Sequence, residues 1–359
     1  MTRQILSTLF VCLAASSLLL AQDGYDIKVK IDGYEAEEIY LGYFYGDKQY
    51  LKDTTALQSD GYYHFKGSEA LEQGVYLVVL PPDNNYFQLI LDEDQTLQLE
   101  TEFSALTDKM KVAGSVENET LYDYIGFLGK MRGKATPIQE KIKAAEEAQE
   151  DKTEFTEQLN AIDEDVRNKQ KQVIAEHGDK IVGAIIKANL ALDIPEFEGE
   201  TEEDTRRKAY YWQLEHYFDN LNLGDTRIMR SPFLFQKVLG YVEKSVIQHP
   251  DTIAKAVDKV LEMMRPSEET FKYYLIHFLN KYANAKIVGQ DAVYVHLVDE
   301  YYKKGDAPWT EEEQLEKIID QSDKLKPLLI GKIAPNITTY TKDNEAITLH
   351  DFKAKYTVL

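Results

Sequence analysis

Tyr25-Asp26-Ile27-Lys28-Val29-Lys30-Ile31-Asp32 alternates apolar and polar side chains with a period of two. Successive side chains of an extended chain point to opposite faces, so Ile27, Val29 and Ile31 share one face. This is the pattern of a strand with one side on a core. Phe87, Leu89 and Leu91, then Leu97 and Leu99, repeat it. Working outward, strands are expected at 25–32, 38–44, 49–57, 61–66, 74–80, 86–92, 96–102 and 110–113. Gly33, Gly46-Asp47, Asp60-Gly61, the run from Pro81 to Asn85, and Asp92-Glu93-Asp94 supply the turns. Strands evenly spaced by turn residues predict an antiparallel β-sandwich or small barrel over residues 22–116.

From Asn118 the period becomes helical. Leu121, Tyr124, Ile125 and Leu128 form one stripe, which Gly133 and Pro137 are expected to interrupt. The following run to His177 is rich in Glu, Lys, Gln and Ala, with a heptad-like seam of Phe155, Leu159, Ile162, Val166 and Val173. Ile138 and Ile142 continue it in another phase, so a slip is expected near Gln149–Thr153. Residues 117–200 therefore read as a long helical segment. It is either a hairpin packed on its own domain or a coiled-coil arm that forms a homodimer. Residues 195–205 are acidic and turn-rich, a solvated linker. Residues 201–330 carry further apolar helical stripes, including Ile253, Val257, Val260, Leu261 and Met264, and predict an all-α bundle or short solenoid. Thr310 with Glu313 reads as a capping box opening the last helix. No fixed-period repeat holds over three units. The whole is an α+β multidomain chain.

The 359 residues carry 41 Lys+Arg against 62 Asp+Glu, a formal charge of −21. Such a surface does not suit phosphate backbones or anionic membranes, which excludes nucleic acid as the expected partner. Met1 to Gln4 carry one positive charge, Ile5 to Leu20 are apolar, and Ala21 precedes a polar stretch. That order predicts a signal peptide over residues 1–21, export to the periplasm and no membrane span after cleavage. Cys12, the one cysteine, lies inside it. A chain cleaved after Ala21 would have no thiolate for nucleophilic, disulfide or metal chemistry.

No Walker loop, dinucleotide-binding glycine motif, zincin motif or nucleophile elbow is present. His296 and Glu300, four apart on an expected helix, form a metal-capable pair without further ligands. His216 and His277 fall in aromatic-rich helices and read as packed or surface residues. Asp92-Glu93-Asp94 reads as a solvated turn. The tyrosines of the β region could stack on sugars but read first as strand filler. No catalytic, cofactor-binding or metal residue is expected on this basis, and no cofactor.

Residues 331–359 turn back to strand pattern, with Ile337–Tyr340 and Ala346–Leu349 around Lys342-Asp343-Asn344-Glu345 and a third strand opening at Tyr356. Three sets of residues carry a family resemblance. Asp60-Gly61-Tyr62-Tyr63-His64-Phe65-Lys66-Gly67, Gly74-Val75-Tyr76-Leu77 and Gly114-Ser115-Val116-Glu117-Asn118 resemble a domain of unknown function that precedes thioredoxin-like domains in secreted Gram-negative proteins. Tyr217-Phe218-Asp219, Asp225-Thr226-Arg227-Ile228, Ser231-Pro232, Phe271-Lys272-Tyr273-Tyr274 and Gly289-Gln290-Asp291-Ala292-Val293 resemble a second such domain. Ile330-Gly331-Lys332-Ile333-Ala334-Pro335-Asn336, Leu349-His350-Asp351-Phe352-Lys353 and Lys355-Tyr356-Thr357-Val358-Leu359 resemble the entrance of a thioredoxin-like domain of the peroxiredoxin and TlpA-like kind.

The resemblance implies a periplasmic thiol–disulfide oxidoreductase serving cell redox homeostasis. Residues 331–359 would be a truncated stub ending before the Cys-x-x-Cys, through a fragment, a frameshift or a gene-model error. The chain itself would then be a non-catalytic front that positions substrate or mediates assembly with envelope proteins. A stand-alone periplasmic binding or scaffold protein is the alternative, and a hydrolase with an unrecognised carboxylate site a third.

Overall fold

The computed structural model describes residues 24–357. The expected leader over residues 1–21, its Cys12, and Val358 and Leu359 lie outside the described residues. The alternating runs form β1 (Tyr25–Asp32), β2 (Glu38–Tyr45), β3 (Lys48–Ala56), β4 (Tyr63–Gly67), β5 (Gly74–Leu80), β6 (Asn85–Leu91), β7 (Thr96–Glu102) and β8 (Lys111–Ala113). They pair as two sheets, β4-β1-β7-β8 and β3-β2-β5-β6. Ile27, Val29, Phe65, Leu97 and Leu99 of the first meet Ile39, Leu41, Val78, Phe87 and Leu89 of the second in one apolar core. The sandwich is not wholly antiparallel. β1 and β7 pair in parallel, Ile27 opposite Leu97 and Val29 opposite Leu99. β7 arrives from the other sheet rather than through a tight hairpin, so nothing forces it to run against β1.

β5, Gly-Val-Tyr-Leu-Val-Val-Leu, does not alternate and is buried at six of its seven positions. Its two faces serve two cores. Tyr76, Val78 and Leu80 point into the sandwich, while Val75 and Leu77, with Phe44 and Ile90, enter the core of the helices. A strand covered on both sides has no face that tolerates polar residues. The sheet β3-β2-β5-β6 is thus the middle layer of the molecule.

α1 (Val116–Ala148) and α2 (Thr153–His177) form an antiparallel hairpin joined at residues 149–152. Lys169 Nζ lies 2.7 Å from Asp123 Oδ2, and Gln170 Nε2 donates to Tyr124 Oη at 3.1 Å. The expected interruption at Gly133 and Pro137 does not occur. Both positions are exposed, so water can take the carbonyl that Pro137 leaves without a donor, and the helix runs on. The phase slip near Gln149–Thr153 is the hairpin turn, with Gln149 in the left-handed region at φ 56°.

The remaining helices are α3 (Ile181–Ala188), α4 (Glu202–His216), α5 (Thr226–Met229), α6 (Pro232–Leu239), α7 (Pro250–Met264), α8 (Glu268–Ala283), α9 (Asp291–Leu297) and α10 (Glu312–Leu325). The Thr310–Glu313 box is not formed. α10 begins later, with Glu311 at its N-cap and no side-chain cap. Side chains of Ser115, Thr201, Asp225, Ser231 and Ser267 cap their helices instead, each accepting an orphan amide of the first turn.

One junction joins the layers. Ser115 Oγ caps α1. The buried Glu117 carboxylate accepts from the amides of Ile181 and Val182 at 2.9 and 2.7 Å, closing the N-terminus of α3. Burial pushes the Glu117 pKa up, against the pull of those two amides. Asn118 Oδ1 accepts from Ile90 N at 2.8 Å while its Nδ2 donates to Ile90 O at 2.7 Å, so one side chain stands in for a fifth strand along β6. Tyr122 Oη donates to Gln88 O at 2.6 Å in the same line.

β9 (Thr338–Tyr340) and β10 (Ala346–Thr348) make a separate two-stranded sheet. Tyr356 and Thr357 form no strand, and Val358 and Leu359, the rest of the expected third strand, lie outside the described residues. Ile333, Ile337, Tyr340, Phe352 and Tyr356 are exposed. Among the described residues no helix is long and apolar enough to cross a membrane.

Asn118→Ala strands a buried amide and a buried carbonyl, and each such group costs about 1–3 kcal/mol. Urea unfolding is expected to show a loss of roughly 2–5 kcal/mol; a loss below ~0.5 kcal/mol would remove Asn118 from this role. Amides of β9 and β10 are expected to exchange with deuterium far faster than those of β5, since an isolated hairpin is marginal in water. Equal protection would contradict it.

Candidate functional site

The β2–β3 turn, Gly46-Asp47, reaches out of the sandwich and meets α8. Asp47 N donates to Tyr273 Oη at 2.9 Å, and Tyr273 Oη donates to Asp47 Oδ1 at 2.6 Å. Gly46 N donates to Met229 O at 3.4 Å. Gly46 has φ +60°, and a Cβ there would fall 2.0 Å from the Tyr273 ring, so only glycine fits this approach. Burial first, and the Asp47 hydrogen bond second, push the Tyr273 phenol pKa well up.

The turn stands between two depressions. One, of about 560 Å³, lies between Phe44, Gln49 and Tyr86 of the sheet and Pro232 and Phe235 of α6. The other, of about 490 Å³, lies between Tyr45, Lys48 and Tyr50 of the hairpin and Tyr273, His277 and Asn280 of α8. Its walls are aromatic. Tyr45 meets Tyr273 edge-on at 5.5 Å, and Tyr273 lies parallel to His277 at 6.3 Å between ring centres. Tyr50 stacks on Tyr43 at 5.6 Å yet stays 42% exposed. His277 Nε2 is buried and has no hydrogen-bond partner. Burial holds the imidazole pKa below its usual value, which favours the neutral ring, able to accept or donate.

A cleft between two packed modules, aromatic and carrying a few convergent polar atoms, is the usual form of a small-ligand site. His277, expected to be packed or at the surface, lies partly buried in a cleft wall. Gly46-Asp47 was legible as a turn, but its partner Tyr273 lies 226 residues away, and no local pattern signals that pairing.

The other candidates resolve differently. His296 and Glu300 do not form a metal pair. A π-turn at Val298–Tyr302 widens the helix, so His296 and Tyr301, five apart, share a face. His296 Nε2 lies 2.8 and 2.9 Å from the Asp258 carboxylate of α7, and Tyr301 Oη donates to Asp258 Oδ1 at 2.9 Å. Glu300 pairs with Lys304 instead. Among the described residues no group of three or more His, Cys, Asp or Glu is placed to hold a metal ion. His216 pairs with Asp219 and stacks on Trp212 at 4.2 Å. Asp94 accepts from Thr96 N at 3.1 Å, ordinary turn chemistry.

Residues 142–326, more than half of the chain, match the family described as Domain of unknown function (DUF5106). The chain belongs to the DUF5106 family. Residues 25–121 match a second family, Domain of unknown function (DUF4369), whose span takes in the whole sandwich and the Ser115–Asn118 junction. The DUF5106 span starts in the last turns of α1 and ends at the close of α10. Gly46-Asp47 thus comes from the DUF4369 span and Tyr273 from the DUF5106 span, so the cleft is built from both. No curated protein and no solved structure matches the chain.

Gly46→Ala is expected to push the turn away from Tyr273 and lower the melting temperature by several degrees, read by calorimetry. An unchanged melting temperature would mean the contact is idle. The Asp258 hydrogen bond raises the His296 pKa above 6.5 and outweighs burial, which lowers it. The pair's stabilisation is therefore present below pH 6.5 and is lost as pH rises through the raised value. His296→Gln is expected to cost more stability at pH 5.5 than at pH 8.5; the reverse order in denaturation would exclude the charged pair.

Proposed function

We propose that this chain is the non-catalytic front of a periplasmic thiol–disulfide oxidoreductase, a rigid frame that holds an envelope client beside a thioredoxin-like domain. The observation that carries this reading is the union of the two front modules through the doubly buried sheet. Phe44, Val75, Leu77 and Ile90 of the β module share one core with the helices, so separating the two would expose apolar surface on both. A frame that positions a client needs that rigidity more than it needs chemistry of its own. The exposed apolar residues after Ile330, on a segment resembling the entrance of a thioredoxin-like domain, suit a surface that a redox domain would cover.

The test is the intact mass of the protein in its native envelope fraction, with thiol counting after reduction. A mass above that of residues 22–359 and two alkylatable thiols are expected. A mass matching residues 22–359 would overturn the oxidoreductase reading and favour a stand-alone binding protein. The chain alone is expected to leave insulin disulfides intact; reduction above background would contradict its non-catalytic role.

A further inference from the structure

The cleft beside Asp47 combines aromatic rings with basic side chains. A chain with a formal charge of −21 presents there Lys48, Lys272 and Lys281 against Asp47. Lys281 is held by Glu243 at 2.6 Å, and Lys272 lies over the Trp309 ring. Lys48 has no ion pair among the described residues, and it pairs across the hairpin with Tyr45, so the two share a face. Tyr45, Tyr50 and Tyr273 offer ring surfaces. Asn280 offers a side-chain amide that can donate and accept, and the His277 ring forms part of the wall with its Nε2 turned away from solvent.

We propose that this cleft binds an acidic sugar, a uronate-type ring whose carboxylate meets Lys48, whose hydroxyls meet Asn280 and whose face lies on the tyrosine rings. Three features converge on that class. The positive C–H edges of a pyranose face suit the negative faces of tyrosine rings. Hydroxyls both donate and accept, which matches a lining of mixed polarity. A carboxylate matches the ammonium of Lys48, which has no ion pair among the described residues. An acidic peptide would use the lysine and supply donors and acceptors from its backbone, but it has no flat C–H face to lay on the tyrosine rings. A volume of about 490 Å³ falls within the ordinary range of small-ligand sites. This ligand class goes beyond the oxidoreductase reading and does not depend on a redox domain.

The test is calorimetric titration of the full chain with trigalacturonate, with maltotriose and triglutamate as controls and histidine ring NMR as second readout. Saturable trigalacturonate binding is expected, at least tenfold weaker for maltotriose and for triglutamate. Tyr50→Ala and Lys48→Gln, both at exposed positions, are each expected to weaken it tenfold or more. Tyr86→Ala, in the neighbouring depression, is expected to leave it unchanged. The His277 ring resonances are expected to shift on titration. If Tyr50→Ala does not fold, Lys48→Gln and the His277 resonances decide. Absence of saturable binding at millimolar trigalacturonate, equal binding of triglutamate, unchanged binding in Lys48→Gln, or unmoved His277 resonances would each overturn the proposal.

Discussion

The structure rests on burial of one sheet from both sides. β5 places Tyr76, Val78 and Leu80 in the sandwich and Val75 and Leu77 against the helices. Neither module can release that strand without exposing a core, so the two halves are tied by the hydrophobic effect across a shared layer. The polar contacts around it are consequences of the same packing. Val75 N donates to Arg230 O at 2.8 Å, and a Cβ at Gly74 would fall 2.5 Å from Arg230 Cβ, so the helical module approaches β5 as closely as glycine permits. The cleft beside Asp47 exists because this seam brings the β2–β3 turn against α8.

Two edges of the middle sheet are treated differently. β6 is closed by α1, where Asn118 and Tyr122 satisfy Ile90 and Gln88. β3 is left as an edge, guarded at its start by Lys48 and broken by a register shift opposite Leu41 and Gly42. Charge and a bulge are the usual devices that keep such an edge from pairing with another chain. The same Lys48 that guards the edge also faces the aromatic cleft.

Much of this architecture was legible from side-chain period alone. Ile27, Val29 and Ile31 announced an alternating strand, and Phe155, Leu159 and Ile162 a helical seam, because period reports local geometry. The unbroken apolar run at Gly74–Leu80 has no period and is read as a strand from its short length between turns, and its second buried face becomes visible only with the helices in place. The parallel pairing of β1 with β7, the uninterrupted α1 and the π-turn after Leu297 were not legible. Each depends on neighbours distant in sequence. The site divides in the same way. Gly46-Asp47 is a turn by composition, but its clamp by Tyr273 and the unpartnered nitrogen of His277 are tertiary facts.

The anchoring of α1 has a mechanical side. Its first turn is fixed to the sheet through Asn118 and to α3 through Glu117, while its 33 residues extend about 50 Å. The outer part of the hairpin touches little besides its own partner helix. A helix clamped at one end and free at the other is a lever, and its fulcrum lies on the shared layer. A load at the Gln149 turn would be felt as torque at Ile90 of the sheet and Ile181 of α3, at the seam where the two modules meet.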